Sequence, residues 1–197
     1  MNLVHIDRDG KLCPVTSRRD EVLAAALDLL DEVGLDALTT RKLAEKLGVQ
    51  PGALYRHFDS KRALLGAMVA RLTVDADPVG ELPEDWAGLL RYAAMGARAT
   101  MLTRRDGARM VATYLAPASD VAQQFWHRLI ASLVAGGIPE SDATVAVDTV
   151  FAYVNGFAIE EQARDGFPAE PERRALRDKT FQAGLDLIIA GVTASRS

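Results

Sequence analysis

The run Thr39-Thr40-Arg41-Lys42-Leu43-Ala44-Glu45-Lys46-Leu47-Gly48-Val49-Gln50-Pro51-Gly52-Ala53-Leu54-Tyr55-Arg56-His57-Phe58 constrains the fold more than any other part of the chain. Thr39 is placed to accept from the free N–H groups that open a helix over Thr40–Leu47. Gly48 suits the left-handed residue that ends it. Pro51 restarts the chain, because proline lacks the N–H that a first helical turn leaves unpaired anyway. The spacing predicts a second short helix over Pro51–Phe58. Two short helices joined by a glycine turn make a helix-turn-helix layout. Leu43, Ala44 and Leu47 then face a small core with Val49, Leu54 and Phe58, and Ala44 is small where the helices cross. Spacing alone equally admits a helical hairpin with a solvated polar face.

The second helix of the pair presents Gln50, Gly52, Ala53, Tyr55, Arg56 and His57 outward. In a helix-turn-helix the N-terminal residues of the second helix reach base edges in the major groove of DNA. Gly52 and Ala53 permit close backbone approach, and Ala53 suits a thymine methyl. Thr40, Tyr55, His57 and Lys61 suit phosphates, and Arg41 suits a base or a phosphate.

The rest of the chain is read as helical as well. Val22, Ala25, Ala26, Leu29, Leu30 and Val33 fall on one face of a helix over Arg18–Val33, with Ser17 as its N-cap and Gly34 beyond its end. Asp59-Ser60 caps a fourth helix with an apolar stripe at Leu64, Leu65, Met68, Val69 and Leu72. Asp75–Asp85, rich in Pro, Gly and Asp, reads as a linker. Helical patterns follow over Trp86–Thr103, Asp106–Tyr114, Val121–Val134, Ser141–Ala163 and Glu172–Ala194, broken at Ala116-Pro117, Gly136-Gly137-Ile138-Pro139 and Asp165–Pro171. No strand pattern and no repeat is legible, so the fold class is all-α. Residues 1–16 lack any period and read as a flexible arm. The last two helices are apolar over more than one face, which demands burial on several sides. Either both fill the monomer core, or Asp142–Gln162 and Arg174–Thr193 form a homodimer interface, the reading favoured here.

Apolar residues make up 49% of the 197, enough for a substantial core. The single cysteine, Cys13, excludes an intrachain disulfide and reads as an incidental thiol. Asp7, Arg8, Asp9 and Lys11 interrupt any signal-peptide pattern, and no apolar run reaches the ~18–20 residues of a membrane span. The expected location is the cytoplasm. Lys/Arg and Asp/Glu balance over residues 1–62, ten of each, so the net charge of −4 belongs to the remainder. An acidic body with a locally basic tip is compatible with DNA docking, because the local field steers binding. His5, His57 and His127 lack metal-ligand spacing, and no phosphate-binding glycine loop occurs. No metal and no cofactor is expected. The alternatives are an enzyme built on a helical bundle, for which no convergent polar set is visible, and a constitutive DNA-binding protein without inducer. A second domain of more than half the chain argues against the latter.

Leu38-Thr39-Thr40-Arg41-Lys42-Leu43-Ala44, Leu47-Gly48-Val49, Leu54-Tyr55-Arg56-His57-Phe58 and Lys61-Arg62-Ala63-Leu64-Leu65 resemble the DNA-binding domain of the tetracycline-repressor (TetR) family. Arg105-Asp106-Gly107-Ala108, Gly156-Phe157-Ala158-Ile159-Glu160-Glu161-Gln162 and the stretch Phe181–Gly191 resemble the sensor domain of the branch for which the family is named. The resemblance covers about residues 17–195. It implies a helix-turn-helix domain over 17–65 and a ligand-binding and dimerisation domain over 66–197. It also implies an Ω-shaped homodimer held by a four-helix bundle. In it, an inducer moves the helix that starts near Ser60. DNA contacts carried over by the resemblance fall on Thr40, Arg41, Pro51, Gly52, Ala53, Tyr55, His57 and Lys61. Gln50 joins them from its exposed position.

The resemblance also marks departures. A histidine that helps bind a magnesium–drug chelate falls on Val111, and a drug-gripping asparagine and phenylalanine fall on Ala93 and Ala97. A metal-supporting glutamate survives as Glu160, which reads here as a structural carboxylate. The expected inducer is therefore a mainly apolar or weakly polar organic molecule bound without an obligatory metal. Its expected site takes in Ala93, Ala97, Thr100, Val111, Thr113, Gln123, Trp126, Phe151, Asn155 and Glu160, with Tyr153 as a further polar handle.

Overall fold

The computed structural model describes residues 4–6, 12–14, 17–75, 81–114 and 120–194. The chain divides into two compact units, Met1–Leu64 and Leu65–Ser197.

In the first unit, α1 (Arg18–Ala37) opens on a capping box. The Ser17 hydroxyl accepts from the Asp20 N–H at 3.2 Å, and the Asp20 carboxylate accepts from the Ser17 N–H at 3.3 Å. Gly34 breaks the helix at φ 77°, as its place at the end of the apolar period predicts, and a short turn carries on to Ala37. Thr39 caps α2 (Thr40–Lys46) by accepting from the Lys42 N–H at 3.2 Å. Gly48 takes φ 65°. α3 (Pro51–Leu54) is shorter than the helix predicted to Phe58. Beyond Leu54 the bonds from Arg56 to Ala53 and from His57 to Leu54 span three residues, so the last turn tightens out of α geometry. Leu43, Ala44, Leu54 and Phe58 are buried with Val22, Leu23, Ala26, Leu30 and Leu38 of α1 and its exit. Leu47 and Val49 are half-buried.

No strand period is legible in residues 1–16, yet Val4–Ile6 (β1) pairs antiparallel with Leu12–Pro14 (β2), His5 standing opposite Cys13. Runs of three residues are too short to display an alternation. The rest of that arm, the predicted turn at Ala116-Pro117 and linker residues 76–80 lie outside the described residues.

α4 (Lys61–Asp75) begins in the first unit, with the Ser60 hydroxyl accepting from the Ala63 N–H at 3.0 Å. The second unit continues with α5 (Trp86–Met101), α6 (Gly107–Thr113), α7 (Asp120–Ala135), α8 (Glu140–Asp165) and α9 (Pro171–Ala194). α8 is the central element, packing on α5, α6, α7 and α9. Its stripe Val147, Val150, Val154 and Ala158 is buried with Leu90 and Ala94 of α5, Leu129 and Leu133 of α7, and Phe181 and Leu185 of α9. Among the described residues no helix is long and apolar enough to cross a membrane.

Candidate functional site

The residues predicted to meet DNA lie in the first turns of α2 and α4, along α3 and in the turn that follows it. Arg41, Gln50, Pro51, Gly52 and Lys61 are exposed, while Thr40, Ala53 and His57 are half-buried. Tyr55 is 52% exposed, unusual for so large a ring. Gln50 is the N-cap of α3 but makes no capping bond with its side chain, so its amide stays open. Gly52 carries a further signal. A Cβ there would meet no atom within 4 Å, and its φ is not positive, so the fold itself does not call for glycine. Glycine in a helix costs up to about 1 kcal/mol against alanine. Neither packing within the described residues nor backbone strain accounts for glycine there. Among the described residues, Arg41, Lys42, Arg56 and Lys61 form no ion pair, whereas Arg18 is held by Glu21 and Lys46 by Glu32, each at 2.6 Å.

In the second unit the predicted effector residues spread over α5 (Ala93, Ala97, Thr100), α6 (Val111, Thr113), α7 (Gln123, Trp126) and α8 (Phe151, Asn155, Glu160). Ala93, Thr100 and Val111 are buried, and Ala97, Trp126, Phe151 and Asn155 half-buried. Trp126 and Phe151 join α7 to α8, their ring centroids 5.0 Å apart. The Thr100 hydroxyl donates to the Gly96 carbonyl of its own helix at 2.9 Å. Thr113 and Gln123 are exposed. Glu160 is exposed too and pairs with Arg164 at 2.6 Å one turn on. Tyr153 is engaged inside the chain, donating to the Phe181 carbonyl at 3.1 Å and stacked on the Phe181 ring at 5.2 Å. Burial pushes its phenol pKa up, and the charge of Arg98 offsets this only in part. A separate open groove of about 530 Å³ is lined by His127, Ile130, Ala131, Val134, Ala135, Glu140 and Thr144, none of them a predicted effector residue. Among the described residues no cluster of three His, Cys, Asp or Glu could hold a metal ion.

A buried ionic network escaped the sequence reading. Arg98 of α5 is 4% exposed. It donates from Nε and Nη2 to the two Glu161 oxygens of α8 at 2.9 and 2.8 Å, and from Nη1 to Asp178 of α9 at 2.7 Å. Its guanidinium lies 4.9 Å from the Phe181 ring centre and 5.6 Å from that of Phe157. Burial works against this charge, and the bonds to Glu161 and Asp178 more than reverse it, so its pKa stands above the ordinary arginine value. Next along α8, the Gln162 amide clamps the turn between α5 and α6. It accepts from the Ala108 N–H at 3.0 Å and donates to the Arg104 carbonyl at 2.8 Å. The legible signal was phase. Arg98 continues the Leu90–Ala94 stripe, and Glu161 the Val147–Ala158 stripe, each a charge where an apolar residue is due.

The outer faces of α8 and α9 are oddly apolar. Val145, Leu176 and Leu187 are 63%, 66% and 76% exposed. They stand in rows of alternating three- and four-residue steps: Val145, Thr149, Ala152, Gly156, Ile159, Ala163 on α8, and Leu176, Thr180, Ala183, Leu187, Ala190, Ala194 on α9. All are exposed save the half-buried Ile159. Added Cβ atoms at Gly156 and Gly191 would meet nothing in the chain. Gly184 leaves room for the Tyr153 ring of its own chain.

Two family models match the chain: bacterial regulatory proteins of the tetR family over residues 22–68, and the tetracyclin repressor-like C-terminal domain over residues 79–177. The chain is 37% identical to tetracycline repressor protein class A from transposon 1721 of Escherichia coli, over 89% of this chain and 90% of that protein. Among solved structures, a variant of TetR from Acinetobacter baumannii AYE in complex with minocycline superposes with a TM-score of 0.79 at 39% identity, over 92% of this chain and 98% of that one. BioQ with its natural double-stranded DNA operator gives 0.74 at 32%, over 90% and 99%.

Proposed function

Because the chain belongs to the tetR family of bacterial regulatory proteins, we propose that it is a ligand-responsive repressor that binds a palindromic operator as a homodimer and is released by a small-molecule inducer. This is a family of transcriptional regulators, not of enzymes, and the cytoplasm, where the DNA lies, is the proposed location. The observation that carries the reading is the α2–α3 face, where Gln50, Gly52, Ala53 and Tyr55 stand outward among cations without acid partners. Residues 17–65 supply the DNA-binding domain, 66–197 the sensor and dimer domain, and 1–16 an arm. Thr40, Tyr55, His57 and Lys61 hold phosphates, Arg41 a base or a phosphate, and Gln50, Pro51, Gly52 and Ala53 form the start of α3 that enters the major groove.

The deciding experiment enriches an operator from a randomised duplex pool with the wild-type protein, then titrates binding against salt. Tyr55→Ala and Lys61→Ala will each weaken binding, and Lys61→Ala will also flatten the salt dependence by about one unit of slope, because a lost cation–phosphate contact releases one counterion fewer. Enrichment of duplexes with half-sites about 34–36 Å apart supports two-fold binding. Unchanged affinity and slope in both variants sinks the assignment.

The inducer we assign to an apolar or weakly polar organic class, bound without an obligatory metal among Ala93, Ala97, Val111, Trp126, Phe151 and their neighbours. The support is chemical: Val111, Ala93 and Ala97 offer no ligand atom, and Glu160 is exposed and paired with Arg164. Small-molecule sites are mostly apolar with few polar groups. An inducer must bind the DNA-competent state less well to shift its population. Hydrophobic compounds are expected to release the operator equally in magnesium and in chelator. Release by tetracycline that vanishes on chelation would show the opposite.

A further inference from the structure

One cation of the N-terminal unit lies outside the helix-turn-helix and outside the DNA contacts assigned above. Arg19 stands in the first turn of α1. Its neighbours there are all engaged. Ser17 and Asp20 close the capping box, and Arg18 is paired with Glu21 at 2.6 Å. Arg19 joins neither. It is exposed, and among the described residues its partner is the Phe58 ring, whose centre lies 4.8 Å from the guanidinium carbon. Phe58 is a buried residue immediately after His57 and three residues before Lys61. Both of those neighbours are assigned to phosphates.

A guanidinium over an aromatic ring is held by the quadrupole of the ring face. Its five N–H donors lie in its own plane and form the fork that matches phosphate oxygens. Stacking therefore fixes the group without using those donors or neutralising its charge. An exposed arginine with no such platform must give up side-chain freedom when it meets an anion. Arg19 has already given up part of it. The nearby acids Asp20 and Glu21 are committed to Ser17 and Arg18, so no local carboxylate competes for it.

We propose that Arg19 contacts a backbone phosphate of the operator, extending the DNA interface onto the first turn of α1, with Phe58 as the platform that aims it. The proposal rests on the repressor reading above. It differs from a merely structural role, in which the stacked pair only ties α1 to the turn after α3.

Arg19→Met keeps an unbranched stem against the ring and removes the charge, and Arg19→Lys keeps the charge and loses the planar fork. Arg18→Met serves as the control, since that charge is already paired. Binding to the duplex enriched by the wild-type protein, and to a scrambled duplex, is followed by fluorescence anisotropy over a salt series, beside thermal unfolding of each variant. Arg19→Met is expected to lower the salt slope by about one unit on both duplexes, since phosphates carry no sequence information. Arg19→Lys keeps the wild-type slope with weaker binding, and Arg18→Met matches the wild type. A wild-type slope in Arg19→Met overturns the proposal whatever its melting temperature, and leaves the repressor reading standing. A wild-type protein that enriches no duplex overturns both.

Discussion

Glu161→Ala will destabilise the C-terminal unit by about 3–5 kcal/mol, the range for removing one partner of a buried ion pair. Arg98 and Glu161 are both almost fully enclosed, with side chains 4% and 3% exposed. Alanine leaves Nε and Nη2 of Arg98 without acceptors in a place water does not reach. Asp178, with a side chain 46% exposed, still holds Nη1. Glu161→Gln keeps the shape and one acceptor, so a smaller loss is expected, about 1.5–3 kcal/mol for a charge-assisted bond weakened to a neutral one. The double variant Arg98→Met/Glu161→Met is expected to be more stable than Glu161→Ala, because it removes the stranded charge along with its partner. Asp178→Asn touches only the exposed arm of the network and is expected to cost less than about 1 kcal/mol. Urea unfolding of the wild type and the four variants measures this order. A Glu161→Ala midpoint equivalent to less than 1 kcal/mol would mean that water or a shifted Asp178 reaches Arg98, contrary to the packing described.

Leu187→Glu will turn the proposed dimer into a monomer at micromolar concentration. Leu187 is 76% exposed in the single chain and stands mid-row on α9, between Ala183 and Ala190, with Val145 exposed on α8. Rows of apolar and small residues in three- and four-residue steps are what helices need to interdigitate across an interface. A two-fold axis uses each such residue twice. Burying one leucine contributes about 1.5–3 kcal/mol, so losing two weakens association by about two to four orders of magnitude, before any cost of burying the new carboxylates. Sedimentation of wild type and variant tests it, with operator binding as the second readout, since one recognition helix alone meets only a half-site. A wild-type chain that sediments as a monomer removes the dimer from the reading. A Leu187→Glu protein that stays dimeric places the interface elsewhere.

How far the sequence reached depended on the range of the interactions involved. Ser17, Thr39, Gly34, Gly48 and Pro51 act within four residues of themselves, through a cap bond, a left-handed φ or a missing N–H. Helix starts and stops were therefore legible before any packing was known. So was the exposure of Gln50, Gly52, Tyr55 and Arg56, whereas Ala53 and His57, read as outward, are half-buried. That no neighbour in the fold calls for Gly52 became visible only with coordinates, since emptiness around an absent Cβ is a three-dimensional fact. Glu160 and Glu161 mark the limit most sharply. Adjacent helix positions differ by about 100° in direction, and the stripe through Val154 and Ala158 runs on to Glu161, but phase alone does not say whether a charge at such a place is buried. Only the packing of α5 and α9 decided it, by bringing Arg98 to Glu161 across 63 positions of sequence and leaving Glu160 to Arg164 at the surface. Gly184 belongs to the same class. Its small size answers the Tyr153 ring of another helix, a partner that no local pattern announces. The sequence by itself determined where the helices begin and most of their ends, because those are contests between neighbours along the chain. The tertiary structure alone decided which charges are buried, which glycine packs inward and which apolar rows stay bare, because those depend on what a distant helix places opposite them.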